Sequence, residues 1–452
     1  MDKVREAALK GIAQVFDKGA FTNIIVNKLL KGDNFAPLER RFLTELIYGT
    51  IRHKNSLEWI MDQYVQQKKV DQWIKYIVML GIYQLYYLNK VPASAACNES
   101  VELAKKYGNK GSVRFVNGVL RNIARNIDKI VFPSMEEDPL KHISLTYSHP
   151  AWMVQMWIKE YGIDETIKLC IHNNSKAPNT MRVNTLKTGV SSLKTLLKEQ
   201  GIIAKGTRYA PEGLDIENFE QIDNLEAFKQ GLFIMQDEAS MLVSRALNPR
   251  PDSLIVDGCA APGTKTTHLA QLSNHRSTII AYDVHQHKLK LISQNARRLG
   301  IDCIEVRLGE AQNIGSLMKE KVDYLLLDVP CSGLGVLRRR ADLRWKKNQD
   351  TLHNLPRLQR EILDGAAPCL KPGGVLVYST CTINSEENIK VIQGFLKDFS
   401  GYRMDSIMPY LPGELLMDAD LYENSLKGYI QLLPHKHNMD GFFISRIIRE
   451  PN

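Results

Sequence analysis

The 452-residue chain has no apolar run approaching the roughly 18 residues that a membrane-spanning helix needs. Its first residues, MDKVREAALKGIAQVF, lack the apolar core of a secretory signal and space their apolar side chains as an amphipathic helix does. The seven cysteines are scattered and form no C-x-x-C pair, which argues against both a zinc site and a dense disulfide framework. The sequence therefore predicts a cytoplasmic protein without a metal and without membrane association.

Proline and glycine are not in excess, and no internal repeat or low-complexity tract occurs. The net charge is +9, and it is distributed unevenly. Residues 1–140 carry about +6, residues 141–240 about −1 and the remainder about +4. Because lysine and arginine contacts to phosphate supply most sequence-independent affinity for nucleic acids, the first and third stretches are candidate RNA surfaces. Plain solubility is the alternative explanation.

Three stretches of the chain differ in periodicity, which predicts two or three domains. In residues 1–135 apolar positions recur at three- and four-residue spacing, so this part is expected to be all-helical. Residues 141–240 mix helical and strand-like segments and predict a small α+β segment. In residues 241–452 apolar strands alternate with helices, which predicts an α/β fold with a parallel sheet covered on both faces.

A turn of small residues, GCAAPGTK at 258–265, follows the first strand of the α/β stretch and precedes a helix. Such a turn lets a ligand approach the backbone and the unpaired N–H groups of the helix start. Asp283 ends the next strand, at the spacing where a carboxylate can meet ribose hydroxyls, and Glu310 after the following strand is a candidate for the adenine edge. Because the full glycine triad of dinucleotide sites is absent, S-adenosylmethionine is favoured as the ligand, with a plain strand-to-helix turn as the alternative.

Two cysteines follow apolar strands, Cys331 in LLLDVPCSG and Cys381 in YSTCT. Because ligands bind at the carboxyl ends of strands in open α/β sheets, both thiols are expected near the cofactor turn, although either could be a buried structural cysteine. A thiolate that adds to C6 of cytosine makes C5 nucleophilic enough to accept a methyl group. Asp328 would then hydrogen-bond the N3 edge of the ring, its alternative role being to cap a loop.

Four segments, DGCAAPGTKTTHLA, LLLDVPCSGLGVLRRRADLRWK, YSTCTINSEEN and DGFFISRI, resemble the NOL1/NOP2/Sun family of RNA cytosine-C5 methyltransferases. The resemblance covers nearly the whole chain, since residues 1–135 resemble a NusB-like helical RNA-binding domain. It implies a Rossmann-like methyltransferase domain at 241–452, joined to the helical domain by the α+β segment at 141–240. It also implies S-adenosylmethionine as the cofactor and a monomer that methylates a cytosine of small-subunit (16S) ribosomal RNA.

Two alternatives to this function remain open. The same chemistry could act on transfer RNA or on another ribosomal RNA site, and the motifs do not separate these substrates. The chain could also be a non-catalytic RNA-binding assembly factor, although the presence of both cysteines, Asp328 and the cofactor turn argues against it.

The resemblance also assigns roles to individual residues. Cys381 is the nucleophile that forms the covalent adduct with C6, and Cys331 assists product release. Glu310 stands where the family usually has aspartate. The residues expected to bind the cofactor are Cys259, Ala260, Ala261, Pro262, Gly263, Thr264, Lys265, Asp283, Glu310 and Asp328.

A basic run, RRRADLRWKK at 338–347, follows the Cys331 segment and includes Trp345. Its guanidinium groups and aromatic ring predict a segment that contacts phosphates and stacks on a base. A solvated basic face is the alternative.

Overall fold

A computed structural model describes residues 2–32, 34–65, 70–219 and 221–451. The chain forms two compact units. The helical unit comprises Met1–Lys176 and Leu337–Asn348, and the sheet unit comprises Ala177–Val336 and Gln349–Asn452. In the described ranges no helix has the length and apolar character needed to cross a membrane.

The helical unit confirms the predicted all-helical N-terminal region. The first helix shows how the sequence sets a boundary: Asp2 caps its start by accepting hydrogen bonds from the backbone N–H groups of Val4 and Arg5, and Gly19 ends it at φ +64°. Side chains such as Leu9, Ile12 and Leu43 are fully buried in one apolar core. The helices are α1 (Lys3–Lys18), α2 (Thr22–Gly32), α3 (Pro37–Arg52), α4 (Lys54–Tyr64), α5 (Gln72–Tyr87), α6 (Ala93–Tyr107), α7 (Lys110–Arg125), α8 (Pro139–Thr146), α9 (Ala151–Tyr161) and α10 (Ile163–Asn174).

The helical unit continues past residue 135, where the predicted domain ends. The Asn55 backbone N–H donates to Ser148 Oγ at 3.0 Å, and Ser56 Oγ donates to the Leu145 carbonyl at 2.6 Å. These bonds fasten the start of α4 to the α8–α9 region, so α8 to α10 belong to the same compact unit. The three domains with their predicted bounds stay a prediction.

The sheet unit begins with a small antiparallel sheet, in agreement with the predicted α+β segment. Its strand order is β2-β3-β1-β4. Leu193 and Leu197 of one helix and Phe233 of the last strand are fully buried in its core. The elements are β1 (Asn179–Val183), α11 (Val190–Glu199), β2 (Ile203–Gly206), β3 (Gly213–Glu217), α12 (Glu226–Lys229), β4 (Phe233–Met235) and the following α13 (Glu238–Leu247).

A second, larger sheet has the order β10-β12-β9-β8-β5-β6-β7, with β11 paired to β12. The strands are β5 (Leu254–Asp257), β6 (Thr278–Asp283), β7 (Ile304–Leu308), β8 (Val322–Asp328), β9 (Leu370–Thr380), β10 (Tyr402–Met404), β11 (Tyr429–Leu432) and β12 (Phe442–Arg449). Strands β5 to β9 are parallel, as predicted. The sequence does not predict the antiparallel extension by β10 to β12, because β10 and β11 are only three and four residues long and the alternation of strands and helices does not fix strand direction.

Helices cover both faces of the large sheet. Side chains of α13, α14 and α15, such as Leu242, Leu269 and Leu299, are buried against one face. Side chains of α16, α18 and α19, such as Ile314, Leu363 and Phe395, are buried against the other. The helices are α14 (Thr264–Leu272), α15 (Gln286–Leu299), α16 (Ile314–Leu317), α18 (Gln349–Ala366), α19 (Ile389–Asp398), α20 (Ala419–Leu426) and α21 (Pro434–His437), with α17 (Leu343–Lys346) lying in the helical unit.

The basic run at 338–347 lies in the helical unit, where two of its residues bond to other parts of that unit. Arg344 is fully buried and donates to the carbonyls of Ser148, at 3.0 Å, and Asn173, at 2.9 Å. Trp345 Nε1 donates to the Ile51 carbonyl at 2.7 Å. A guanidinium carries five donors and can satisfy carbonyls at helix ends, which explains its burial here. The prediction is therefore wrong for Arg344, while base stacking by the half-buried Trp345 stays a prediction.

Candidate active site

The carboxyl ends of β5 to β9 bring the predicted site residues to one edge of the large sheet. In the pairing of β8 with β9, Asp328 lies opposite Ser379, two residues before Cys381. In the pairing of β6 with β7, Asp283 lies opposite Leu308, two residues before Glu310. The turn after β5 precedes α14, between these two pairs of strands. The shared edge is where open α/β sheets bind ligands.

The turn from Gly258 to Gly263 is held by backbone hydrogen bonds. The Ala260 N–H donates to the Tyr282 carbonyl at 2.8 Å, and the Gly263 N–H donates to the Ala260 carbonyl at 2.7 Å. Gly263 has φ +95°, and a Cβ there would lie 3.1 Å from the Cα of Ile292, so this position requires glycine. The tight turn leaves the backbone of residues 259–262 facing the sheet edge without large side chains.

Asp283 connects this turn to the end of β6. Its carboxylate accepts hydrogen bonds from the backbone N–H groups of His285, at 2.9 Å, and Ala261, at 3.3 Å. An ionised carboxylate offers about four lone-pair sites, so acceptor capacity remains for a ribose hydroxyl. Glu310 is exposed beyond β7, and the adjacent Gly309 N–H donates to the Asp283 carbonyl at 3.2 Å. Both acids therefore lie at the carboxyl ends of two neighbouring strands, β6 and β7.

Asp328 and Lys265 form an ion pair at the centre of the edge. Lys265 Nζ donates to Asp328 Oδ2 at 2.7 Å, and Ser379 Oγ donates to Asp328 Oδ1 at the same distance. Lys265 is 8% exposed, and its ammonium lies 5.1 Å from the centre of the Phe442 ring. The pair places a carboxylate and an ammonium side by side. The carboxylate can accept a hydrogen bond from a polar ring, and the ammonium can donate one to it.

The two cysteines meet beside this pair. The Sγ atoms of Cys331 and Cys381 lie 3.3 Å apart, and both residues are half-buried. The hydrogen bond to Cys381 and the burial of the thiol raise the pKa of Cys331 well above its usual value, and the negative charges of Glu387 and Asp328 add to the effect. The structure thus brings both predicted thiols into one site with unequal surroundings.

Three polar or aromatic residues of the site were missed by the sequence analysis. Ser379 and Cys381 are two residues apart, and alternate residues of a strand share a face. The YSTCT segment therefore contains a signal that could have identified Ser379. Phe442 lies in the DGFF segment, but nothing in that segment predicts a contact with Lys265. Glu387 is completely buried and bonds to the residue after Cys331, which a run of two glutamates does not predict.

Within the described parts of the chain, no group of three or more histidine, cysteine, aspartate or glutamate side chains is arranged to hold a metal ion.

Comparison with protein families assigns three parts of the chain. Residues 244–448 match the family described as 16S rRNA methyltransferase RsmB/F. Residues 2–125 match the NusB family, and residues 149–223 match the ferredoxin-like domain of RsmF/B-like methyltransferases.

Curated relatives match over nearly their full length. The chain is 36% identical to a probable ribosomal RNA small subunit methyltransferase B of Bacillus subtilis (strain 168), over 98% of this chain and 97% of the relative. It is 32% identical to the ribosomal RNA small subunit methyltransferase B of Proteus mirabilis, over 98% of each chain.

Two solved structures share the fold. A methyltransferase homologue from Pyrococcus horikoshii is 30% identical with a TM-score of 0.58, covering 69% of this chain and 99% of that one. The NSun6 protein of the same organism, solved with SFG, is 24% identical with a TM-score of 0.58, covering 67% of this chain and 99% of that one.

Proposed function

Because the chain belongs to the 16S rRNA methyltransferase RsmB/F family, we propose that it methylates C5 of a specific cytosine in 16S ribosomal RNA through a covalent adduct to Cys381. The observation that carries this proposal is the pairing of two thiols 3.3 Å apart next to the Lys265–Asp328 ion pair. A methyltransferase acting on oxygen or on an exocyclic nitrogen needs no thiol, whereas C5 of cytosine is too weak a nucleophile without one.

Each residue has a defined part in the reaction. The Cys381 thiolate adds to C6, which makes C5 an enamine carbon. Asp328, held by Lys265 and Ser379, hydrogen-bonds the N3 edge of the ring and stabilises its protonated form during addition. After methylation a base removes the C5 proton and the Cys381–C6 bond breaks, a release that Cys331 assists. The cytosine must leave its stack to reach these groups.

The cofactor proposed for this site is S-adenosylmethionine, which when bound supplies an electrophilic methyl group on a sulfonium sulfur. Asp283 would accept from the ribose hydroxyls, and Glu310 would accept from the adenine amine. The turn would pack against the rest of the ligand through the following residues: Cys259, Ala260, Ala261, Pro262, Gly263, Thr264 and Lys265. The turn is fixed for this task, because Gly263 lets it pack directly against Ile292 of α15.

An exposed basic face on α7 supports RNA as the partner. Lys110, Arg114, Arg121 and Arg125 are all exposed. Their spacing of 4, 7 and 4 residues places them on one side of the helix, opposite the buried Val116, Val119, Leu120 and Ile123. Such a row of cations can neutralise successive phosphates along an RNA backbone.

The experiment that tests this function uses unmodified 16S rRNA, transfer RNA and labelled S-adenosylmethionine with the purified full-length protein. Nucleoside analysis should find label only in 5-methylcytidine from 16S rRNA, and bisulfite sequencing should locate one position. Label in another methylated nucleoside would refute the C5 chemistry. Label in transfer RNA alone would identify transfer RNA as the substrate. If the protein binds both cofactor and RNA but no label is transferred, a non-catalytic assembly factor would be favoured.

A further inference from the structure

A buried carboxylate lies in the short helical turn that follows Cys381. Glu387 has no exposed surface. Its Oε2 accepts from the Ser332 backbone N–H at 2.7 Å and from Gln359 Nε2 at 3.1 Å, and its Oε1 accepts from Asn384 Nδ2 at 3.0 Å. In the part of the chain that the structure describes, no lysine, arginine or histidine forms a salt bridge with it. Three neutral donors therefore hold a buried negative charge.

These contacts reach both cysteine loops. Ser332 directly follows Cys331, and Gln359 Nε2 also donates to the carbonyl of Pro330 at 3.0 Å, so both neighbours of Cys331 are tied to the Glu387 network. Asn384 lies three residues after Cys381. A carboxylate at this position thus joins the loop of one thiol to the loop of the other.

Further bonds fix the second cysteine from both sides. Ser332 Oγ and Thr382 Oγ1 lie 2.7 Å apart and link the two loops directly. Asn388 accepts from Thr380 Oγ1 at 2.6 Å and donates to the Thr382 carbonyl at 3.1 Å. Because all of these side chains are almost fully buried, the thiol separation has little freedom to change.

We propose that Glu387 is a positioning residue that sets the division of labour between the thiols: its buried carboxylate joins their loops and lies beside the Cys331 loop, where it accepts from the Ser332 N–H. Its negative charge there is one of the causes that raise the pKa of Cys331, so that Cys331 stays a thiol. This inference rests on the proposed function, in which the two cysteines have different tasks. A thiolate at Cys331 would leave the nucleophile protonated and the assisting residue charged, the reverse of what the reaction needs.

Three other groups face Cys331, and none of them brings an unpaired negative charge to this thiol. Asp328 is also negative, but its charge is paired with Lys265. The Tyr378 hydroxyl donates to the Glu387 carbonyl and is neutral, since burial raises the pKa of Tyr378 well above its usual value. Cys381 itself shares a hydrogen bond with Cys331. Glu387 is the unpaired charge in this set.

The test is the pH dependence of alkylation by iodoacetamide, measured for each cysteine by peptide mass spectrometry under reducing conditions, without RNA or cofactor. In the natural protein Cys331 should react only at a pH well above that at which an ordinary thiol reacts. In Glu387→Gln the midpoint for Cys331 should fall by about one pH unit, the size of effect expected from removing one nearby charge. The matched control is Glu386→Gln, because that neighbouring carboxylate is exposed and pairs with Lys390.

Glu387→Asp keeps the charge and should keep the high midpoint of Cys331, which separates the effect of charge from that of packing. This variant also covers the case in which Glu387→Gln does not fold. An unchanged Cys331 midpoint in folded Glu387→Gln, or a Cys331 midpoint in folded Glu387→Asp as low as that expected for Glu387→Gln, would overturn the inference. The assay contains no substrate, so it is independent of the proposed function. That function fails separately if Cys381→Ala still methylates RNA.

Discussion

Lys265, in the first turn of α14, donates a hydrogen bond at 2.7 Å to Asp328, the last residue of β8. The side chains are largely buried, with 10% of Lys265 and 28% of Asp328 exposed. The ion pair therefore joins the proposed cofactor turn to the proposed catalytic acid. Removal of one partner leaves the other as an uncompensated charge, which costs more than removal of both.

A double-mutant cycle with Lys265→Met and Asp328→Asn should reveal this coupling. We expect the double variant to be more stable than the two single changes predict, by about 1–3 kcal/mol, since residues in direct contact couple by this amount. The double variant should not methylate RNA, because Asp328 is needed to bind the cytosine ring. Denaturant unfolding monitored by circular dichroism measures the stability of each variant.

The control cycle is Lys371→Met with Asp323→Asn, a pair that joins β9 to β8 at the end of β8 opposite Asp328. Their nitrogen and oxygen lie 2.6 Å apart, but 46% and 32% of the side chains are exposed, so coupling below about 1 kcal/mol is expected. Equal coupling in the two cycles would show that the burial of Lys265–Asp328 has no special effect.

Asp283→Ala should weaken S-adenosylmethionine binding by about 1–3 kcal/mol, the range for truncating a charged hydrogen-bond partner. The change removes the acceptor for the ribose and also the support of the Ala261 and His285 N–H groups. Calorimetric titration measures the dissociation constant, with Asp302→Asn as the control because that side chain is 95% exposed. An unchanged constant in the folded Ala variant would remove Asp283 from the cofactor site.

The sequence predicts the parts of the site that depend on strand periodicity. Cys331 and Cys381 follow apolar runs, so their place at the sheet edge follows from the alternation of strands and helices. The contacts of Glu387 with Ser332 and Gln359 depend on how distant segments pack, and no local pattern encodes them. Arg344 was misinterpreted for the same reason, since composition does not show which carbonyls lie within its reach.

The basic face of α7 should contribute RNA affinity without taking part in catalysis. Arg114→Gln with Arg121→Gln removes two exposed cations, so RNA binding should weaken and the slope of log K against log salt should fall by about 1.4–1.8. Binding measured at several salt concentrations gives this slope. Deletion of residues 1–135 is a poorer test, because it would also remove Ile51, the hydrogen-bond partner of Trp345.

The control for α7 is Lys194→Gln with Lys198→Gln. Both lysines are exposed on α11, in the stretch of the chain whose net charge is about −1. The salt slope should change less for this pair. A slope that stays the same in the α7 variant would exclude this face from the RNA interface, while cofactor binding should be unaltered in both variants.

The two neighbouring cysteines should give opposite phenotypes although their sulfur atoms lie 3.3 Å apart. Cys381→Ala removes the nucleophile, so neither methyl transfer nor a covalent RNA complex should appear. Cys331→Ala still permits addition and methylation but slows release, so protein should accumulate on methylated RNA. The complex should survive denaturing electrophoresis and disappear after nuclease digestion. Cys303→Ala is the control. This half-buried thiol lies just before the amino end of β7, whereas the site lies at the carboxyl ends of the strands.

The pattern of bands separates the possible roles. A band with Cys381→Ala and none with Cys331→Ala would exchange the two assignments and make the thiol after Pro330 the nucleophile. Full activity of both variants without any band would refute covalent catalysis. The band with Cys331→Ala could also appear only when cofactor is present. This result would show that the trapped species is the methylated adduct, because loss of the C5 proton gives product only after methyl transfer. The step that remains blocked is then the release of Cys381 from C6.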